Sequence, residues 1–368
     1  MTLIAHIFQL EKHKNIENYA YSFILFLHQN LTQDEFANHY FYFSYFENED
    51  LKDSILKRLD GISFPMHKIK YFNDHYQMMK DINLVKYSDS IFHQMSSIKV
   101  FLFLFFHRNL NKQTSWVIWG GDLYHLFINK LGVKYKVYDF IVRRSVIKNL
   151  KNIMGIKEDF ELLKTKYKTK ANHFLSIYPI PSKIFSLDEY KKKHDKSIKI
   201  LVAHSANRAN NHKYIFEALL PFKNENIKIT TPLSYGELDN IPKVVQMGYN
   251  LFEEKFEPIN TFMKPEEFSE LLKEINVAVF AIERQAAVGI LITLISLGKK
   301  IYFKKGVVPY TFFTNNNIKI FDTNILSNQD YEKFIYMEEK DKINNIKEIN
   351  KLYSDDNIIS IWRTIFDS

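Results

Sequence analysis

Short runs of β-branched and aromatic residues alternate with stretches whose apolar positions recur every three to four residues, from one end of the chain to the other. Residues 2–9 (TLIAHIFQ) predict a strand. Residues 16–29 predict a helix with Ile16, Tyr19, Ala20, Phe23, Phe26 and Leu27 along one side. Residues 39–46 (HYFYFSYF) and 69–73 predict two more strands, and residues 89–92 a short apolar one. Residues 94–110 predict a helix, although the composition of 100–106 suits a strand equally. Residues 115–119 (SWVIW) predict a strand that ends at Gly120 and Gly121. Such alternation predicts parallel sheets covered by helices, an α/β fold.

The pattern changes over residues 130–170, which are crowded with Lys and Arg, and breaks at Tyr178-Pro179-Ile180-Pro181 and the polar run after it. Alternation then restarts. Strands are predicted at 198–203, 227–232, 256–262, 277–282, 300–303 and 318–322, and helices at 210–222, 241–252, 264–275 and 286–297. Pro265, followed by Glu266 and Glu267, makes a favourable helix start. Residues 358–366 close the chain as an amphipathic helix. The expected organisation is a first domain over 1–180, a second over 181–350, and a terminal helix over 351–368 that packs back toward the first domain. Ligands of open parallel sheets bind beyond the carboxyl ends of the strands, in this case in a cleft between the halves.

The length of 368 residues suits two domains, and an apolar fraction of 46% with 25% charged residues excludes bulk disorder. There is no Cys, which excludes disulfides, thiolate catalysis and Cys-type metal sites. Fifty Lys and Arg against 42 Asp and Glu leave a net charge of +8, which suits an anionic partner such as phosphate, acidic lipid or nucleic acid. The apolar stretches 100–106 and 286–298 are shorter than the roughly 18–20 residues a membrane span needs, and the amino-terminal run lacks the basic lead of a signal peptide.

Four loops at predicted strand ends carry candidate chemistry. In His204-Ser205-Ala206-Asn207-Arg208-Ala209-Asn210-Asn211-His212, small and polar residues surround an Arg at a helix start, which suits an anion; an ordinary Asn-capped helix start reads the same way. Thr231–Pro232–Leu233–Ser234–Tyr235–Gly236 can edge a base or sugar, or simply turn the chain. In the segment from Ile282 through Glu283, Arg284 and Gln285 to Gly289, small residues permit close approach of a diphosphate, or only close packing. In Trp119-Gly120-Gly121-Asp122-Leu123-Tyr124, Asp122 is either a helix cap or a general base, and His93, at the end of a preceding strand, is structural or lies on the same rim. No D-x-D, H-E-x-x-H or G-x-S-x-G pattern occurs, so neither a metal site nor a cofactor is expected. Aromatic platforms of the nucleic-acid type are not evident either, and no nucleic-acid partner is expected.

The segment WVIWGGDLY (116–124) resembles the signature of the bacterial TDP-Fuc4NAc:lipid II Fuc4NAc transferases, and LVAHSANRANNH (201–212) and VFAIERQAAVGIL (279–291) are similar to two further blocks of that family in the same order. The resemblance implies a GT-B fold of two Rossmann-like domains, an inverting glycosyl transfer, a dTDP-linked donor, a polyprenyl-diphosphate-linked acceptor, and peripheral attachment to the anionic cytoplasmic face of the inner membrane. It implies nucleotide-sugar binding by Ser205, Arg208, Asn210, Tyr235, Arg284, Gln285 and Gly289 in the second domain, and Glu283, which stands where the family can carry Ala, is a further candidate there. In the acceptor domain it implies roles for His93, Gly120, Asp122 and Tyr124, with Asp122 ahead of His93 as the base. Arg208, Arg284 and two helix N-termini would stabilise the leaving diphosphate, and the basic span 130–170 would hold the membrane. A nucleotide-sugar 2-epimerase and a non-catalytic sugar-nucleotide-binding protein are the alternative readings.

Overall fold

The computed structural model describes residues 3–10, 14–45, 57–60, 64–124, 127, 132–179, 185, 197–283 and 286–368. The chain divides into two compact units, Met1–Pro181 with Tyr353–Ser368, and Ser182–Leu352.

The first unit is built on seven parallel strands: β1 (Ile4–Leu10), β2 (His39–Tyr45), β3 (Ile69–Phe72), β4 (Asp89–His93), β5 (Thr114–Val117), β6 (Asn152–Met154) and β7 (Asn172–Phe174). Their order is β3-β2-β1-β4-β5-β6-β7. In β1 the two faces separate cleanly. Ala5 and Ile7 join the core that includes Val100, Phe101 and Leu104, while His6 and Phe8 meet Phe23 on the other face. Both β4 and β5 are buried at every position, as central parallel strands are. The ambiguous 100–106 run is part of a helix, Ile98–Phe106, that buries Val100, Phe101 and Leu104 and leaves Ile98, Leu102 and Phe106 exposed. Strands β6 and β7 were not apparent in the basic span. Each has three residues, too few for a period to register, and their neighbours in the sheet define them. Between them the helix Lys157–Tyr167 buries Phe160, Leu163 and Tyr167 and turns Lys157 and Lys164 to water, while Lys166 pairs with Asp139.

The terminal helix Asp355–Phe366 belongs to the first unit. Trp362 is fully buried, packs 4.5 Å from the Phe23 ring, and donates its indole N–H to Ile177 O at 2.8 Å. Arg363 forks onto Glu35 at 2.9 and 3.0 Å, and the Ser368 hydroxyl accepts from Asn152 Nδ2 at 3.0 Å.

The second unit has six parallel strands: β8 (Ile198–Val202), β9 (Ile227–Pro232), β10 (Phe256–Ile259), β11 (Val277–Phe280), β12 (Lys300–Phe303) and β13 (Phe321–Asp322), in the order β10-β9-β8-β11-β12-β13. Pro258 sits in the edge strand β10, where a missing N–H costs no ladder bond. The helix expected over 210–222 is shortened to His212–Leu219, because Asn211 turns left-handed at φ 53° and separates it from a tight turn at Arg208–Asn210. In each sheet the chain leaves the first strand toward one edge and later enters the neighbour on its other side. These reversals, β1 beside β4 and β8 beside β11, part the crossover loops beyond the strand ends and define where a ligand can approach.

Trp362→Ala empties the socket that fastens the terminal helix. Urea denaturation is expected to report a loss of about 3–5 kcal/mol; an unchanged midpoint would mean the helix is not fastened there.

Candidate functional site

At the carboxyl edge of the second sheet, the loops after β8 and β9 are packed against each other. Ala206 N donates to Tyr235 O at 2.8 Å, and Asn240 Nδ2 donates to Ala206 O at 2.9 Å. Gly236 sits at φ 107°, and a Cβ there would stand 2.9 Å from Asn207 N, so only glycine permits this approach. Ser205 and Asn210 are buried and bind each other, Asn210 Nδ2 donating to Ser205 O at 2.7 Å and to its Oγ at 2.9 Å. Their side chains brace the loop rather than line it. Asn211 Nδ2 reaches across to Ala281 O at 2.9 Å and ties this edge to the end of β11.

Ser205, Arg208, Asn210 and Tyr235 therefore fall in one loop cluster, and Glu283 and Gly289 follow the adjacent strand. Arg284 and Gln285 lie outside the described residues. The half-exposed Arg208 is not poised as a lone phosphate ligand. Its guanidinium is paired with both Glu237 and Asp239, and its N–H donates to Glu237 Oε1 at 3.1 Å. Those carboxylates raise its already high pKa further. Both carboxylates come from the loop after β9, so Arg208 clasps the two loops together, and the sequence reading missed the acidic residues that make it do so. Glu283 is exposed and paired with Lys304. Gly289 lies in the first turn of the helix Val288–Ser296, whose start has no side-chain cap. Tyr235 is 44% exposed and presents its ring beside His204, centroid to centroid 6.2 Å.

The carboxyl edge of the first sheet carries the WGGDLY segment. Asp122 is 1% exposed. Its Oδ2 accepts from Trp116 Nε1 at 2.7 Å and Met95 N at 3.1 Å, and its Oδ1 accepts from Trp119 N at 3.0 Å. Burial raises its pKa and these donors oppose the rise. Both oxygens are occupied, so the expectation of a base facing the acceptor is corrected: the carboxylate joins the loop after β4 to the loop after β5. Gly120, at φ 90°, makes the turn that allows it.

His93 is also fully buried. Its Nε2 meets His6 Nδ1 at 3.0 Å, His6 Nε2 meets His39 Nδ1 at 2.8 Å, and His93 Nδ1 bonds the Tyr178 hydroxyl. Each neutral imidazole donates once and accepts once, so the chain Tyr178–His93–His6–His39 is a single file of one polarity. Burial keeps all three rings neutral, holding His39 down to about 3 and the others well below their ordinary value. His93 thus supports the sheet end and does not itself face a substrate.

A carboxyl that the sequence reading missed lies at the same edge. Tyr124, half-buried, donates its hydroxyl to Asp159 Oδ1 at 2.7 Å, while Asp159 Oδ2 has no partner among the described residues. Burial pushes Asp159 up to about 7, with the charge of Asp122 adding to the rise. Its available signal was an acid in the first turn of the helix after β6. Among the described residues no group of three or more His, Asp or Glu is arranged to hold a metal.

The buried histidines set the acid limb of stability. Their folded pKa values lie below the unfolded value near 6.5, so below that pH the unfolded chain takes up protons that the native state excludes. Stability is expected to fall with decreasing pH by ~1.4 kcal/mol per pH unit for each such ring. Denaturation midpoints between pH 7 and pH 5 test this, and a flat profile would contradict it.

Solved glycosyltransferase structures share this architecture. A glycosyltransferase from Rickettsia africae ESF-5 superposes with a TM-score of 0.68 at 11% identity, covering 100% of this chain and 98% of its own. HepE from Anabaena, in complex with UDP-glucose, gives 0.66 at 9% identity with 99% and 100% covered. The pneumococcal O-GlcNAc transferase GtfA, in complex with UDP and GlcNAc, gives 0.65 at 9% with 100% and 99% covered. At these identities the likeness establishes the fold, which is GT-B. Residues 1–356 match the family described as 4-alpha-L-fucosyltransferase glycosyl transferase group 56, and the chain, a glycosyltransferase, belongs to that family.

Proposed function

We propose that this glycosyltransferase moves an acetamidodeoxyhexose such as Fuc4NAc, with inversion, from a dTDP-linked donor to a saccharide carried on a polyprenyl diphosphate. The observation that carries the mechanism is the Tyr124–Asp159 pair, in which a half-buried phenol donates to a carboxyl held near neutral protonation. In the proposed step the acceptor oxygen forms the new bond to the sugar C1 as the bond from C1 to the leaving phosphate oxygen breaks, and the leaving diphosphate keeps the electron pair. The acceptor proton passes to the Tyr124 oxygen while the phenolic proton moves to Asp159 Oδ1. The N–H groups at the start of Val288–Ser296, where no side chain among the described residues caps the helix, with Arg284, would meet the charge on the diphosphate. The absence of a D-x-D motif supports a route without a metal ion. The UDP-glucose held by HepE and the UDP held by GtfA support a nucleotide-diphosphate donor.

We place the enzyme on the cytoplasmic face of the bacterial inner membrane. Support comes from a surface of the first unit where Val133, Val137, Phe140 and Ile141 are 78%, 51%, 68% and 51% exposed among Lys134, Lys136 and Lys148. Apolar residues at helical spacing inside a basic surround suit an anionic bilayer interface, each basic residue contributing on the order of 1 kcal/mol. No helix among the described residues is long and apolar enough to cross a membrane.

A thermal-shift panel of TDP-, UDP- and GDP-sugars tests the donor: the TDP-sugar is expected to stabilise most, by about 2.7 kcal/mol at a hundred times its Kd. Tyr124→Phe and Asp159→Asn are each expected to lower kcat by about 10²–10³-fold. The wild-type rate should rise with pH through about 7 as Asp159 loses its proton, and this limb should vanish in Asp159→Asn. Full activity in either variant would remove the pair from the mechanism. Sedimentation with phosphatidylglycerol vesicles tests the surface; Val137→Glu with Phe140→Glu should abolish binding, and retained binding would refute it.

A further inference from the structure

Of the three tryptophans, Trp116 and Trp362 are fully buried, and Trp119 alone keeps part of its surface in water. It stands at the carboxyl edge of the first sheet, just after β5 and in the same short segment as Tyr124. Two half-buried tyrosines from other stretches of the chain converge on it. Tyr19, in the helix Lys14–Asn30 that follows β1, has its ring centroid 5.6 Å from the indole at 66°. Tyr178, which follows β7, lies 5.3 Å from the indole at 81°. The cluster is anchored from behind. The Tyr178 hydroxyl bonds His93 at the head of the buried imidazole file, and its ring packs 5.3 Å from Phe23 and 5.6 Å from Trp362. Trp119 N is fixed by Asp122 at 3.0 Å. The residue is thus held both at its backbone and at its ring. Neither tyrosine lies parallel to the indole, so neither is stacked on it.

An aromatic ring held rigid at the ligand-binding edge of a parallel sheet, and still open to water, is prepared for a partner. Its chemistry limits which. An indole face carries partial negative charge, so it attracts weakly positive C–H groups and repels anions. The carboxylate held in the same segment, Asp122, adds to that repulsion. A phosphate or carboxylate is therefore disfavoured. A pyranose with equatorial substituents presents a face of axial C–H groups to a ring and keeps its hydroxyls at the rim. We infer that Trp119 is the stacking platform for the apolar face of a neutral pyranose, with Tyr19 and Tyr178 holding the indole at its angle. That the pyranose belongs to the acceptor rests on the glycosyl-transfer reading above; its binding does not.

Because Trp116 and Trp362 are closed to solvent, quenching of tryptophan fluorescence by acrylamide reports on Trp119. Methyl β-D-glucopyranoside and methyl N-acetyl-β-D-glucosaminide are the probes, with thymidine and inorganic phosphate as contrasts. At least one glycoside is expected to shield the wild type from acrylamide, and saturation-transfer NMR should place the contact on the ring hydrogens of one pyranose face. Trp119→Ala is expected to weaken that binding about tenfold. Trp119→Phe, which keeps a ring and decides the matter if the smaller variant does not fold, should weaken it about threefold. Binding of neither glycoside, no shielding from acrylamide, affinity indifferent to the Trp119 variants, or stronger binding of thymidine or phosphate overturns the platform. Trp119-dependent glycoside binding in a protein whose turnover is indifferent to Tyr124→Phe and Asp159→Asn would uphold the platform and remove the proposed proton transfer instead.

Discussion

A carboxylate withdrawn from water has to be met by donors, and Asp122 is met by three N–H groups drawn from two loops and one strand. Met95 N belongs to the loop that leaves β4, Trp119 N to the turn after β5, and Trp116 Nε1 to β5 itself. Through this one group the ends of two central strands are held at a fixed spacing. The left-handed Gln94 precedes Met95 directly, and Tyr124 stands half a helical turn beyond Asp122. The positions of both therefore follow from how the carboxylate is satisfied. Its charge reaches further still, since it contributes to the raised pKa of Asp159.

The two sheets follow the same strand order and use their carboxyl edges differently. In the first unit the edge is dominated by neutral buried groups: three imidazoles in file and a phenol on a carboxyl near neutrality. Such groups recognise hydroxyls and move protons. In the second unit the edge is made of backbone brought close by Gly236, small residues ahead of an uncapped helix, and an aromatic ring at the surface. Such a surface accommodates a nucleotide through main-chain N–H groups. Glycosyl transfer needs both proton movement and stabilisation of a leaving group, and the two edges carry groups of these two kinds.

Arg208 shows how a correct motif can carry a different role. An Arg among small residues at a helix start does mark the loop after β8. Its charge is already neutralised by Glu237 and Asp239, 29 and 31 residues further on. The arginine then closes one loop on another.

The chain's alternation of strands and helices, its parallel-sheet class and the loops at which chemistry collects were all legible in the order of apolar residues, because each depends on periods that a local stretch of sequence expresses. WGGDLY was legible as a site segment for the same reason: a strand, a glycine turn and an acid are neighbours in the chain. The three-residue strands β6 and β7 were not, since they exist only through their partners in the sheet. Nor were the roles of Asp122, His93 and Arg208, because a side chain's partners decide whether it is a base, a brace or a clasp, and those partners come from distant residues. Tyr124 and Asp159 are 35 positions apart. The pairing of β5 with β6 brings their loops together, and burial, a property of the folded chain, sets the protonation of the carboxyl.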